Sequence, residues 1–243
     1  MSTSISDTSS YTDICEQAAK TDEVFRIFKQ LPRYTDILEH VTPEEGKEYA
    51  DFALVNPQIQ ANLVKFLCND MQGSPRTHVY PFGCFSPTTL RYMKILNDLS
   101  QLKLDDISIV EIGCGYGGQY TVLRQLFKPS QYTFVDLPPV LKLIEKYVKN
   151  LELNDIPLNF VTPQVLQPIE ADLVISNYAF SECTKEIQDV FLKQIVNNCK
   201  HGYMIYNNMN GYSHSEFIER CSKKVKVHAE RPQTHPKNVL LTW

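Results

Sequence analysis

The chain has 243 residues, 43% of them hydrophobic, and a formal net charge of -4 at pH 7. This length and apolar content support one large domain, or a domain with a helical extension, around a substantial core. The Lys and Arg residues are dispersed and form no basic stripe, so nucleic acid is not expected as a partner.

The N-terminus and the cysteines bear on location. Residues 1–10 are rich in Ser and Thr and lack the apolar segment of a signal peptide, so we expect a disordered tail. No segment approaches the roughly 20 apolar residues that cross a bilayer, and membrane insertion is not expected. The seven cysteines are odd in number and contain no Cys-x-x-Cys pair. We therefore expect reduced thiols in a cytoplasmic protein.

Residues 11–104 have a helical pattern that prolines break into three or four segments, and we expect no strand among them. The last segment, 88–102, repeats apolar residues at helical spacing and should pack against the sheet that follows. We interpret 11–104 as a helical cap or lid, whose helices could also form a homo-oligomer contact.

Residues 105–243 alternate strands with helices and form the predicted cofactor-binding domain. The strands are expected near 108–112, 132–136, 158–161, 171–176, 202–206, 225–229 and 238–242, and the helices near 118–127, 139–151, 184–199 and 213–221. This alternation predicts an α/β fold with a parallel sheet covered by helices on both faces. The loop between the last two strands is short and rich in proline, so these strands should form an antiparallel hairpin.

A glycine-rich turn follows the first of these strands. Gly113 and Gly115 allow a tight turn with positive φ, while Gly117 and Gly118 let the next helix pack closely. Asp136, at the end of the second strand, can accept hydrogen bonds from two ribose hydroxyls. Together these features predict a nucleoside cofactor.

Two cofactor classes share this pattern, because the glycines also match the Gly-x-Gly-x-x-Gly fingerprint of NAD enzymes. Glu111 favours S-adenosylmethionine (SAM), since a carboxylate beside the turn suits a cationic cofactor and would repel a pyrophosphate. The chain after Asp136 is also short for a second mononucleotide half and a substrate domain. NAD and a glycine turn without a ligand remain the alternatives.

Ligands of open parallel sheets lie beyond the carboxyl ends of the strands. Leu137 is placed to contact adenine, and Thr162 could bond the adenine amine or cap a turn. The full set of predicted cofactor-binding residues is Glu111, Gly113, Cys114, Gly115, Gly117, Asp136, Leu137, Thr162, Asn177 and Tyr178.

Three side chains are candidates for the general base. Glu182 lies in the loop after the fourth strand, where a reacting group would be delivered, although the helix dipole also favours an acid there. His214 follows the fifth strand and is otherwise a solvated helix-start residue, and His78 could close over the site from the cap. No metal site is expected, because Asp172 opens its strand at the opposite edge of the sheet.

The motifs at 111–119, 134–140 and 176–182 resemble those of a family of sugar O-methyltransferases, and 86–92 is similar as well. The resemblance implies a class I SAM-dependent methyltransferase: a Rossmann-like seven-stranded sheet with six parallel strands, an antiparallel seventh and an N-terminal helical extension. It further implies transfer of a methyl group to a hydroxyl of a deoxysugar such as rhamnose or fucose. The sugar would belong to a glycan of polysaccharide biosynthesis or to its nucleotide-linked precursor.

Aromatic side chains with polar tips suit a sugar acceptor, although such residues are equally expected in a core. The candidate substrate residues are Tyr80, Phe82, Arg91, Tyr178, Phe180 and Tyr212. Two further functions stay open: methylation of another small molecule or a lipid, and a non-catalytic scaffold in a glycosylation complex.

Overall fold

A computed structural model describes residues 9–208 and 211–243 of the chain. The helices of these residues are α1 (Ser9–Lys20), α2 (Asp22–Phe25), α3 (Pro32–Ile37), α4 (Pro43–Ala53), α5 (Pro57–Ala61), α6 (Leu63–Phe66), α7 (Pro87–Leu99), α8 (Gly118–Leu123), α9 (Pro138–Asn150), α10 (Ala179–Glu182), α11 (Lys185–Gln194) and α12 (His214–Arg220). The strands are β1 (His78–Tyr80), β2 (Gly83–Phe85), β3 (Ser108–Ile112), β4 (Gln131–Val135), β5 (Leu158–Val161), β6 (Ala171–Asn177), β7 (Cys199–Tyr206), β8 (Lys226–Ala229) and β9 (Val239–Thr242).

Within this part of the chain, seven strands form one sheet in the order β5-β4-β3-β6-β7-β9-β8. The first five are parallel to one another, and β9 is antiparallel to both β7 and β8. Strand β8 therefore runs in the common direction, which confirms the predicted six parallel strands, the antiparallel seventh and the terminal hairpin. Each strand lies close to its predicted range, although β7 starts three residues early, at Cys199 instead of 202.

The central strand β3 is buried on both faces because helices cover both sides of the sheet. Ile109 belongs to a hydrophobic cluster that extends into the N-terminal helices, whereas Val110 and Ile112 belong to a second cluster with α11 and α12. This alternation gives β3 the nearly continuous apolar sequence of a buried parallel strand. It also directs the one acidic side chain of β3, Glu111, to the side of the N-terminal helices.

The N-terminal residues are helical as predicted, with one correction. Strands β1 and β2 form a two-stranded antiparallel hairpin, where no strand was expected. Three residues per strand are too few to give a readable alternation in the sequence. Helix α7 starts at an N-cap, Ser86, whose hydroxyl accepts the Thr89 N–H at 3.1 Å, and it ends at Leu99, before the predicted 102.

Helix α7 lies between α4 and the sheet domain, and its polar residues are buried with its apolar ones. Asp98 accepts a hydrogen bond from the Tyr203 hydroxyl at 2.7 Å, which ties α7 to β7.

Of the predicted tail, residues 1–8 lie outside the described residues, and Ser9 and Ser10 already belong to α1. The described helices include none with the length and apolar character of a membrane span. The division of the chain after residue 104 stays a prediction.

Candidate active site

A cavity of about 400 Å³ lies beyond the carboxyl ends of β3, β4 and β6. Ligand pockets of proteins span roughly 300–1,000 Å³. The strand order reverses between β3 and β6, which makes this crevice the topological switch point at which open α/β sheets bind ligands. The remaining walls come from α7, from residues 37–49 and from the loop at 234–238.

The glycine turn forms the floor of the cavity. Gly113 has φ +74°, and a Cβ added there would lie 1.9 Å from the Cβ of Ala179. Gly115, with φ +55°, also lines the cavity. Gly117, at φ +86°, lies outside the lining and serves as the N-cap of α8. The first two glycines thus keep the cavity open, and the third sets the direction of the helix.

Glu111 lines the cavity with a side chain that is only 2% exposed. The Tyr132 hydroxyl donates a hydrogen bond to Glu111 Oε2 at 2.8 Å. Burial raises the pKa of Glu111 to about 8, and the Tyr132 hydrogen bond offsets only part of that rise. At neutral pH the carboxyl group is therefore mostly protonated, and a cation beside it would favour the ionised form.

Asp136 is held by the backbone of the turn that it faces. The N–H of Cys114 donates to Oδ2 at 2.6 Å, and the N–H of Leu137 donates to Oδ1 at 2.7 Å. Burial raises the pKa of Asp136 to about 6, and these backbone donors oppose the rise. All three residues line the cavity, whereas Thr162 does not and its neighbour Pro163 does.

Asn177 and Tyr178 form the edge of the cavity after β6. The Oδ1 atom of Asn177 is buried and has no hydrogen-bond partner among the described residues. Tyr178 has φ 70°, a left-handed conformation that is costly for a bulky residue. It is fixed by its N–H, which bonds the Ile205 carbonyl at 2.9 Å, and by its hydroxyl, which bonds Glu230.

Glu182, at the end of α10, also lines the cavity. The Nδ2 atom of Asn207 donates to its carboxylate at 3.0 Å, while the Ser181 hydroxyl donates to Asn207 Oδ1 at 2.9 Å. The serine therefore sets the orientation of the amide that holds the acid. Burial raises the pKa of Glu182 above its ordinary value, against the hydrogen bond from Asn207.

The cap contributes further residues to the cavity. Arg91, a predicted substrate residue, lines it from α7, and Tyr49 and His40, which no motif marked, line it from α4 and the loop before α4. Beyond the cap, Asn207 and His235 line it as well. These residues are far apart in the sequence, and only the tertiary fold brings them together.

Three predicted residues of the hairpin region lie outside the lining, which corrects their expected position. His78 belongs to β1, so it is held in the hairpin instead of closing over the site. Tyr80 stacks on Phe82 with ring centroids 5.3 Å apart, and its hydroxyl donates to the Pro43 carbonyl at 3.2 Å. These aromatic rings hold the hairpin against α4.

Three further predicted residues follow the fourth and fifth strands but also lie outside the lining. Phe180 is fully buried and packs edge-on against Phe217. Tyr212 bonds both carboxylate oxygens of Asp189 at 3.1 Å. The backbone N–H of His214 bonds an asparagine side chain at 2.7 Å at the start of α12. The sequence placed these residues at the correct sheet edge, but the chain turns away from the cavity there.

No group of three or more His, Cys, Asp or Glu side chains within the described ranges could hold a metal ion. Asp172 lies at the amino end of β6, where it accepts hydrogen bonds from Ser108 and Lys200. Its role there is to join the edges of neighbouring strands.

No protein-family model and no curated protein matches the sequence. A SAM-dependent methyltransferase from Aquifex aeolicus has a similar structure, with a TM-score of 0.50 and 14% identity over 62% of this chain and 87% of that one. The chain has the fold of the class I methyltransferases. Lower scores come from the pyocyanin biosynthetic protein PhzM (TM-score 0.48, 9% identity, 64% of this chain and 56% of that chain). An rRNA methylase from Streptococcus thermophilus is also similar (TM-score 0.46, 15% identity, 61% of this chain and 92% of that chain).

The methyltransferase fold accounts for the sheet and the crevice. Residues 37–49 and α7 of the cap, together with the loop at 234–238 and residues of α11, line the rest of the cavity. Glu111 and Asp136 therefore line the same cavity as Arg91, the buried arginine of the cap.

Proposed function

We propose that the chain is a SAM-dependent O-methyltransferase that acts on a hydroxyl of a sugar. The observation that carries the proposal is the position of Glu111, Asp136 and Glu182 around one cavity, at the switch point of a methyltransferase fold. The first two suit a cationic nucleoside cofactor, and the third suits an acceptor that must lose a proton.

The residues of this cavity fit SAM. Glu111 offers a buried carboxyl group that a positive charge would ionise, and Asp136 has lone pairs left for ribose hydroxyls. The unpartnered Oδ1 of Asn177 is an acceptor for an amino group. Gly113 and Gly115 leave the floor without side chains, so that a ligand can approach the backbone.

Bound SAM would supply a methyl group on a positively charged sulfur, and the protein must supply the position and protonation state of the acceptor. Glu182 would accept the proton of the acceptor hydroxyl at its carboxylate. Its raised pKa makes it a stronger base than an exposed glutamate, and Asn207 holds one oxygen in place. A positioned base contributes typically 10²- to 10⁴-fold to a rate.

The sugar acceptor comes from the resemblance of the sequence motifs, and the cavity lining supports it. Tyr49 and Tyr178 line the cavity, and aromatic rings with polar tips suit a sugar ring. We propose that the sugar is part of a glycan or of its activated precursor. A cytoplasmic location and a homo-oligomer contact through the cap stay predictions.

Calorimetry with S-adenosylhomocysteine tests the cofactor. We expect saturable binding that Asp136→Ala weakens at least tenfold, because a charged hydrogen bond contributes about 1.5–3 kcal/mol. Binding that is absent in the wild type, or that is unchanged in the variant, would contradict the proposal.

Mass spectrometry of sugars incubated with SAM and the enzyme tests the acceptor. A gain of one methyl group on a sugar is expected, and Glu182→Gln should lower kcat by about 10² to 10⁴ while leaving S-adenosylhomocysteine binding unchanged. The matched control is Glu186→Gln, because Glu186 is an acid at the start of α11 outside the cavity lining. Full turnover by Glu182→Gln would remove the proposed base.

A further inference from the structure

Arg91 is a buried cation, 7% exposed, that lines the cavity without a salt bridge to any described residue. The buried Glu39 is the carboxyl group whose charge acts on it. Nη2 of Arg91 donates to the Leu38 carbonyl at 3.3 Å, and the guanidinium also bonds the Tyr92 side chain, whose ring lies 5.5 Å from its Cζ. The guanidinium has five N–H donors, so this arrangement leaves most of them for a ligand.

A buried cation without a salt-bridge partner is costly. Glu39 compensates it incompletely, because burial raises the pKa of that carboxyl group and so disfavours its charge. A ligand can supply the missing negative charge. The fork of an arginine matches carboxylate and phosphate groups in a bidentate manner. Tyr49 and Tyr178 surround the same part of the cavity and add hydroxyl groups, which are neutral at physiological pH because burial raises their pKa values.

We propose that Arg91 binds an anionic group, a carboxylate or a phosphate, on the methyl acceptor. The acceptor is then an acidic or phosphorylated sugar, and not a neutral sugar alone. This inference rests on the proposed function and narrows its substrate class.

The other anion that could reach Arg91 is the carboxylate of the cofactor itself. Arg91 and Glu182 line the same cavity, and the charge of Arg91 lowers the pKa of Glu182, which favours the acceptor. The pKa values of Glu111 and Asp136 are set instead by burial, by their own hydrogen bonds and, for Glu111, by the charge of Asp136.

Cofactor binding distinguishes these two sources. Calorimetry with S-adenosylhomocysteine should give the same affinity for Arg91→Met as for the wild type, within about threefold. The matched control is Arg124→Met, which removes another buried arginine, one that pairs with Asp155 away from the cavity. A tenfold or larger loss in Arg91→Met alone assigns the arginine to the cofactor and overturns the inference.

Acceptor binding tests the inference directly, with glucuronate, glucose 1-phosphate and glucose as probes of the protein, measured with and without S-adenosylhomocysteine. We expect at least one anionic probe to bind about 10- to 100-fold more tightly than glucose, and Arg91→Met to remove that preference while Arg124→Met keeps it. A preference for glucuronate indicates a carboxylate, and a preference for glucose 1-phosphate indicates a phosphate.

Equal affinity of the wild type for charged and neutral probes, or an undiminished preference in Arg91→Met, overturns the inference. The proposed function fails separately, through absent S-adenosylhomocysteine binding in every protein. The comparison of charged and neutral probes does not depend on that result, because it is also made without S-adenosylhomocysteine.

Discussion

The protonation of Glu111 should make SAM binding depend on pH. In the free protein burial raises the pKa of this carboxyl group to about 8, so it is mostly neutral at pH 7. A cation in the cavity stabilises the ionised form, so binding must release the proton. The affinity for SAM should therefore rise with pH and level off above pH 8.

The size of the effect follows from linkage. If only the ionised form binds, the apparent Kd is multiplied by one plus the ratio of protonated to ionised Glu111. For a pKa of about 8, the affinity should increase about eightfold between roughly pH 6.5 and 7.5. Asp136, with a pKa of about 6, changes the affinity less than about twofold over the same range. This pH range lies below the usual pKa of an α-amino group, roughly 7.7–8.0, so the amino group of SAM stays mostly protonated.

Calorimetry at both pH values, in two buffers of different ionisation enthalpy, measures the affinity and the proton count together. We expect release of about 0.9 proton per bound SAM near pH 7. The control is Glu111→Gln, which should bind SAM more weakly and with an affinity that changes less than about twofold, because Asp136 alone then titrates. A flat profile in the wild type, or an eightfold rise that persists in Glu111→Gln, would refute the reasoning.

Three further outcomes are expected. Tyr132→Phe removes a hydrogen bond that lowers the pKa of Glu111. The pH dependence of SAM binding, measured by calorimetry, should therefore move to higher pH. A shift to lower pH would contradict this. Gly113→Ala should lower the free energy of unfolding in urea by about 1–3 kcal/mol and abolish SAM binding, since its Cβ would lie 1.9 Å from a neighbouring side-chain carbon. Lys29 is buried without a salt bridge to any described residue, and burial lowers its pKa to about 8 although the charges of Glu39 and Asp70 oppose that shift, so folding disfavours its proton. Stability should rise with pH as Lys29 deprotonates, and the free energy of unfolding of the wild type relative to Lys29→Met should increase by about 1.3 kcal/mol from roughly pH 7 to 9; a constant difference would show that Lys29 stays charged.

The cofactor half of the site could be read from the sequence because its determinants are local. The strand before Gly113, the turn itself and the acid after the next strand lie close together in a βαβ unit, whose geometry is fixed by its handedness. Glu111 and Asp136 accordingly line the same cavity, and their contact with a cofactor stays a prediction. The strands of the sheet were equally readable, because a strand buried on both faces is a short apolar run.

The acceptor half was less predictable because it depends on how distant segments pack. Arg91 was a candidate substrate residue, but Tyr49 comes from a helix that the sequence assigned only to a cap, and no spacing between the two indicates that they line one cavity. The loop after β7 was placed at the correct edge, yet its His214 is held at the start of α12 instead of the cavity. Position along a strand gives the edge of the sheet at which a residue lies, but not its distance from the crevice.

Tyr178 shows why the two halves depend on each other. Its left-handed backbone would be avoided in an isolated chain, and it persists because its N–H is bonded to β7 and its hydroxyl to Glu230. The carboxylate of Glu230 in turn accepts the N–H and the hydroxyl of Thr234, a residue of the cavity wall, at 2.9 and 2.7 Å. Tyr178, which follows Asn177 and its unpartnered Oδ1 atom, is thus fixed by the terminal hairpin. A sequence pattern along β6 carries no information about that constraint, since half of it lies more than fifty residues away in the chain.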